Sequence, residues 1–149
     1  MQTPDTYKDF FANMVADSAT LFGSPLEIKS FYYTDSSVLS ESLRSDINYP
    51  VLWLEAPNFK MRATGDNATM QTQGTFFILI NAEKDERIGD KLQKCFLIVQ
   101  KVINYLFQND MIWMGDDIII DYGQAQMADN CVGYEVSFTT KHQEVDFLI

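Results

Sequence analysis

Hydrophobic positions along the chain switch between a helical and an alternating period, and the switches outline its elements. Tyr7, Phe10, Phe11, Met14 and Leu21 recur at helical spacing. Thr3 can cap that helix, Pro4 suits its first position, and Asp5 complements the positive end of its dipole. Gly23–Ser24–Pro25 ends the run. Leu26–Thr34 then reads as a strand rich in aromatics, and Asp35–Ser36–Ser37 offers caps for a short helix through Val38, Leu39 and Leu43. Pro50 precedes a strand, VLWLE, that is apolar on both faces at its centre.

The middle of the chain reads as a β-meander. Phe59–Thr64 alternates, Gly65–Asp66–Asn67 supplies turn chemistry, and Ala68–Gln73 returns. Gly74 leads into TFFILIN, the most apolar strand and the expected centre of the sheet. A long helix follows, from Asp85 to Gln108. Ile88, Leu92, Cys95, Phe96, Val99, Val102, Ile103 and Leu106 form its apolar stripe. Leu92, Phe96, Val99 and Ile103 are expected to pack on Phe76–Ile80. Leu97 and Ile98 lie off the stripe, which suggests a second covered side, against the first helix or a neighbouring chain. MIWM (Met111–Met114), IIIDY (Ile118–Tyr122) and YEVSFTTKH (Tyr134–His142) read as three closing strands.

The order helix, strand, short helix, strands, long helix, strands has no regular βαβ alternation and no repeat. It predicts one α+β domain over residues 1–149. An antiparallel or mixed sheet would carry the long amphipathic helix and the N-terminal helix on one face.

Composition narrows the class. The chain has 46% hydrophobic and 21% charged residues over 149 positions, the balance of a folded domain able to build its own core. Its longest dense apolar stretch, Thr75–Ile80, is far too short to span a bilayer, so no membrane role is expected. No basic head with a following apolar run opens the chain, and it reads as intracellular. Cys95, among apolar helix residues, reads as a buried free thiol. Eleven Lys and Arg against 21 Asp and Glu give a formal net charge of −10. That charge argues against gripping nucleic acid with a broad basic face. It suits a basic partner, a surface that nucleic acid slides past, or simple solubility.

Catalytic chemistry finds little to build on, so no catalytic residue, cofactor or metal is expected. The one histidine, His142, sits in a polar Lys–His–Gln context, and no nucleophile elbow, Walker loop or dinucleotide fingerprint is present. Asp110, Asp116, Asp117 and Asp121 are the densest carboxylates. Their spacing matches no EF-hand loop and reads as a solvated hairpin tip. Glu83, Asp85 and Glu86 read as charges stabilising the start of the long helix. The consecutive aromatics Phe31, Tyr32 and Tyr33 cannot all face one core from a strand, and Trp113 stands in a similar apolar run. These four are the candidate subunit-interface residues, covered either by a helix layer or by another subunit.

The succession of N-terminal helix, strand, short helix, the YPVLWLE strand (Tyr49–Glu55), hairpin, long helix and closing VGYEVSFTTKH (Val132–His142) resembles tail terminator and tail-completion proteins of long-tailed bacteriophages. The resemblance covers most of the chain and rests on element order and size. It implies a non-enzymatic virion protein made in the host cytoplasm, a homo-oligomeric ring subunit, in that family often hexameric. Such a ring caps the tail tube and joins it to the neck while DNA passes without specific binding. A small acidic adaptor, chaperone or immunity protein holding a basic partner is the alternative. A metal enzyme built on the aspartates is a third reading.

Overall fold

Thr3 starts the first helix through its own side chain. In the computed structural model, which describes residues 3–18, 27–34, 48–65, 67–81, 88–112, 117–124, 131–140 and 143–144, helix α1 spans Pro4–Ala16. Thr3 Oγ1 accepts from the Thr6 amide at 3.2 Å, and Thr6 Oγ1 accepts from the Thr3 amide at 2.8 Å. This reciprocal capping box satisfies donors that the first turn leaves free. Tyr7, Phe11 and Met14 then form one buried stripe.

The strands are β1 (Ser30–Thr34), β2 (Val51–Glu55), β3 (Asn58–Thr64), β4 (Asn67–Asn81), β5 (Ile119–Gln124), β6 (Cys131–Thr139) and β7 (Gln143–Glu144). Together with α2 (Ile88–Gln108) they make an α+β fold around a mixed sheet of order β1-β2-β4-β6-β5. The β1–β2 pair is parallel and the other pairs are antiparallel. β3 and β7 flank the first half of β4, whereas β2 and β6 flank its second half.

Several expectations are corrected here. Over the described part of the first strand, Glu27 takes a left-handed φ of 62°, which interrupts extended backbone, and pairing begins at Ser30. Gly74 does not separate two strands but lies inside the 15-residue β4. A Cβ there would come within 2.3 Å of the Tyr7 hydroxyl and 2.6 Å of Phe138 Cζ, so glycine lets α1 and β6 close over the sheet. β2 and β3 form one interrupted track beside β4. Glu55, Ala56 and Pro57 stand opposite only Thr75 and Gly74, a bulge set where proline removes a ladder donor.

Both helices cover the same face, as expected. Tyr7, Phe11 and Met14 of α1 meet Leu52, Leu54, Phe76, Ile78, Val136 and Phe138 of the sheet, and Cys95, Ile98, Val99, Val102 and Leu106 of α2 complete the cluster. The centre of the α2 stripe differs from the one expected. Ile98 is buried, standing three residues after Cys95 and four before Val102, whereas Leu97 (48% exposed) and Ile88 (43%) face outward. Leu92 and Ile103 flank the stripe. Phe96 is half-buried, its ring edge-on to Tyr134 at 5.7 Å. The second covered side of α2 is supplied by α1, where Phe10 meets Tyr105 at 5.3 Å.

The helix ends where Asp110 turns left-handed (φ 57°). The Met111 amide then donates to the Leu106 carbonyl at 2.9 Å, and the Asp110 amide to Phe107 at 3.2 Å, a Schellman cap. That cap explains why Met111 and Ile112 do not begin a strand: Met111 closes the helix and Ile112 fills the core. Other expectations lie outside the described residues. They are Leu21 and its Gly–Ser–Pro terminator, the short helix after Asp35, Glu83–Arg87, Trp113–Asp116 and His142. Among the described residues no helix is long and apolar enough to cross a membrane.

The α2 assignment is open to a direct check. Leu106→Ala removes a fully buried side chain and is expected to cost about 2–5 kcal/mol in denaturant unfolding. Leu97→Ala on the exposed side should stay within about 0.5 kcal/mol of wild type. Equal losses would place the helix face wrongly. Gly74→Ala is expected to lower stability by about 1–3 kcal/mol, because the added methyl meets Tyr7 and Phe138 in a packed interior.

Candidate functional site

Strand alternation sends every second residue away from the helices, and there the sheet holds a separate set of side chains. Val51, Trp53, Phe77 and Leu79 form a second buried cluster, with Tyr32 and Tyr49 packed against it. The registers join Tyr32, Trp53, Phe77, Glu135 and Asp121 into one row across five strands. Three aromatics occupy the β1–β4 end of that row, and two carboxylates occupy the β6–β5 end. Tyr32 stacks on Trp53 with centroids 5.5 Å apart and planes at 22°. At the Tyr49 side the Cys131 thiol donates to the Tyr49 hydroxyl at 3.1 Å.

The carboxylate end is the electrostatic feature of this face. Glu135 lies beside Phe77 on one strand and Asp121 on the other. Partial burial raises the pKa of its carboxyl, and the nearby charges of Glu55 and Asp121 raise it further. Next to it Thr75 and Ser137 face each other across β4–β6, their hydroxyl oxygens 3.4 Å apart. These two join Asn58, Gln73, Asp117, Ile119 and Thr139 in lining an open cleft of about 290 Å³. Gly74, Ile119 and Phe138 add apolar surface to its amides, hydroxyls and single carboxylate, so its lining is mixed.

The sequence-derived interface residues are placed as follows. Phe31 and Tyr33 turn toward the helix-covered core while Tyr32 turns to the second cluster, and all three are half-buried. Lys8 Nζ sits 5.7 Å from the centre of the Tyr33 ring. Trp113 lies outside the described residues. The protomer therefore absorbs much of the apolar surface of the Phe31–Tyr33 triplet, and its own fold buries the second face at β2 and β4. Of the aspartates, Asp117 borders the cleft and Asp121 pairs in register with Glu135. Among the described residues no group of three or more His, Cys, Asp or Glu is arranged to hold a metal ion. Cys95 and Cys131 are both buried free thiols. Burial pushes the Cys95 thiol up to about 11, which leaves it in the unreactive thiol form at neutral pH.

Sequence reasoning did not single out Glu55 and Glu135, which belong to this site. Alternation in β6 could have put Glu135 opposite Val136, but only strand pairing brings it beside Asp121. Nor did it single out the exposed apolar residues, Phe59 and Met61 on β3 and Ile119 and Tyr122 on β5. No protein-family model matches this chain, and neither does any curated protein.

The raised pKa of Glu135 has a definite sign. Its folded form holds a proton more tightly than the unfolded chain does. The resulting stability is complete below the ordinary value of 4.5 and is lost as pH rises through the higher folded value. Glu135→Gln is thus expected to melt above wild type near neutral pH and to lose that advantage by about pH 4. A lower melting temperature at neutral pH would show the charged carboxylate to be stabilising instead.

Proposed function

We propose that this chain is a structural ring subunit of a phage head-to-tail connector or tail terminator, working in assembly rather than catalysis. The observation that carries the reading is a set of exposed apolar side chains on two different faces of one sheet, at β3 and at β5. Phe59 (36% exposed) and Met61 (54%) lie on β3 in register with Thr72 and Met70, on the helix side. Ile119 (54% exposed) lies on β5 in register with Ser137, on the other side. A head-to-tail ring needs two different patches on each subunit, and closure covers both. The outer strands β1 and β5 each pair on one side among the described residues, so both ends of the sheet offer backbone for further contacts.

The element order and the acidic balance support the same reading. Carboxylates lining a ring's hole let DNA pass, because phosphates gain no counterion release from them. In this reading the ring, a hexamer where it follows the family, caps the tail tube and meets the neck proteins. A second reading, an acidic adaptor for a basic protein, is favoured by the Glu55, Asp121 and Glu135 group beside an open cleft.

Imaging of the native particle, or of co-expressed neck and tail proteins, separates the two. The ring reading expects several symmetric copies around the DNA channel at the end of the tail tube. Absence from the particle, or one asymmetric copy away from the channel, would sink it and favour the adaptor.

A further inference from the structure

Among the described residues β5 pairs with β6 alone, so its outer edge presents a row of backbone groups on which a further strand could form. Sheets commonly blunt such an edge with lysine, proline or a covering segment. Ile119–Gln124 holds neither lysine nor proline, and the side chains of Ile119, Asp121 and Tyr122 are exposed. The two faces of this edge differ. Toward the helices, Ile120 packs on the core, and the Tyr122 ring stands edge-on to Tyr134 at 6.4 Å, which meets Phe96 in turn. Away from the helices, Asp121 lies beside Glu135, whose carboxyl also feels the charge of Glu55. Exposed Asp117 precedes the strand.

We infer that β5 accepts an extended segment of a partner protein as an added edge strand, one whose residues alternate between basic and apolar. Its backbone pairs with the outer edge of β5, which supplies affinity, and its side chains supply specificity. Successive residues of a strand point to opposite faces. The lysines or arginines therefore face Asp121 and Glu135, while the apolar residues between them extend the Ile120–Tyr122 surface. Charge decides between occupants. An added strand continues both faces of the sheet, so a second copy entering through its own β5 would gather Asp121 and Glu135 of both copies on one face. Those copies would each carry a net charge of −10. A basic strand turns that repulsion into attraction. The inference goes beyond the ring reading and does not rest on it; within a ring the strand would be an arm of an adjoining neck or tail protein.

An acetylated and amidated six-residue peptide of alternating lysine and valine, matched to the length of β5, is the probe for the full chain. Isothermal titration is expected to show one peptide bound per chain, more weakly as salt is raised. A peptide of the same composition with its lysines grouped at one end should bind at least about tenfold more weakly, because charge is kept while alternation is lost. Asp121→Lys should also weaken binding at least about tenfold. Asp9→Lys, the same charge change at an exposed site on α1, should weaken it no more than about threefold. Circular dichroism melting confirms that both variants are folded; if Asp121→Lys is not, asparagine replaces lysine at both positions and the same order is expected. Hydrogen exchange reads the strand itself, and alternate amides of β5 should slow at least about tenfold when the peptide binds. No binding, equal binding of the two peptides, equal effects of the two variants, or unchanged exchange along β5 would each overturn the inference. A wild type that already pairs with itself through β5, its amides protected without peptide, would overturn it too. The particle imaging described above decides the ring reading by itself, whatever the peptide does.

Discussion

Strand β4 runs for 15 residues with neighbours on both sides, and the rest of the fold is arranged around what its two faces require. A strand in the middle of a sheet cannot hide one face by turning away, so both need cover. Phe76, Ile78 and Ile80 supply the helix-covered core, while Phe77 and Leu79 supply the smaller cluster behind it. Burying such side chains contributes about 1.5–3 kcal/mol each, which makes this half of β4 the main source of cohesion. The other half, Asn67–Gln73, carries small and polar residues and a single methionine. It extends as a hairpin with β3. Gly74 stands between the halves, where α1 and β6 come closest to the backbone.

The face away from the helices is divided by the same strand order. At β1, β2 and β4 it is aromatic and enclosed; at β6 and β5 it is acidic and open. Glu135 lies at the boundary, beside an aromatic ring and two other carboxylates, so water is partly excluded just where charge accumulates. Among the described residues, Asp121 and Glu135 pair in register at one end of this face, and Glu55 acts on the same carboxyl. A charge pattern of this kind bears on association and its specificity more than on the stability of the single chain.

Elements governed by neighbours in the sequence were legible before the structure. The capping box at Thr3, the hairpin around Gly65, the long helix and the helix-on-one-face α+β class all follow from local preferences and periods that adjacent residues determine. The consecutive aromatics Phe31–Tyr33 showed that two faces must be covered, and both are engaged. What required the tertiary structure was every feature set by partners distant along the chain. Ile98 belongs to the core, and Leu97 does not, because of where α1 and β6 lie against α2. Met111 and Ile112 read as strand residues until the Asp110 cap committed them to the helix end and the core. The carboxylate end of the sheet was hidden for the same reason. Glu55, Asp121 and Glu135 are far apart in sequence, and only the ladders through β2, β4, β6 and β5 bring their charges close enough to act on one another.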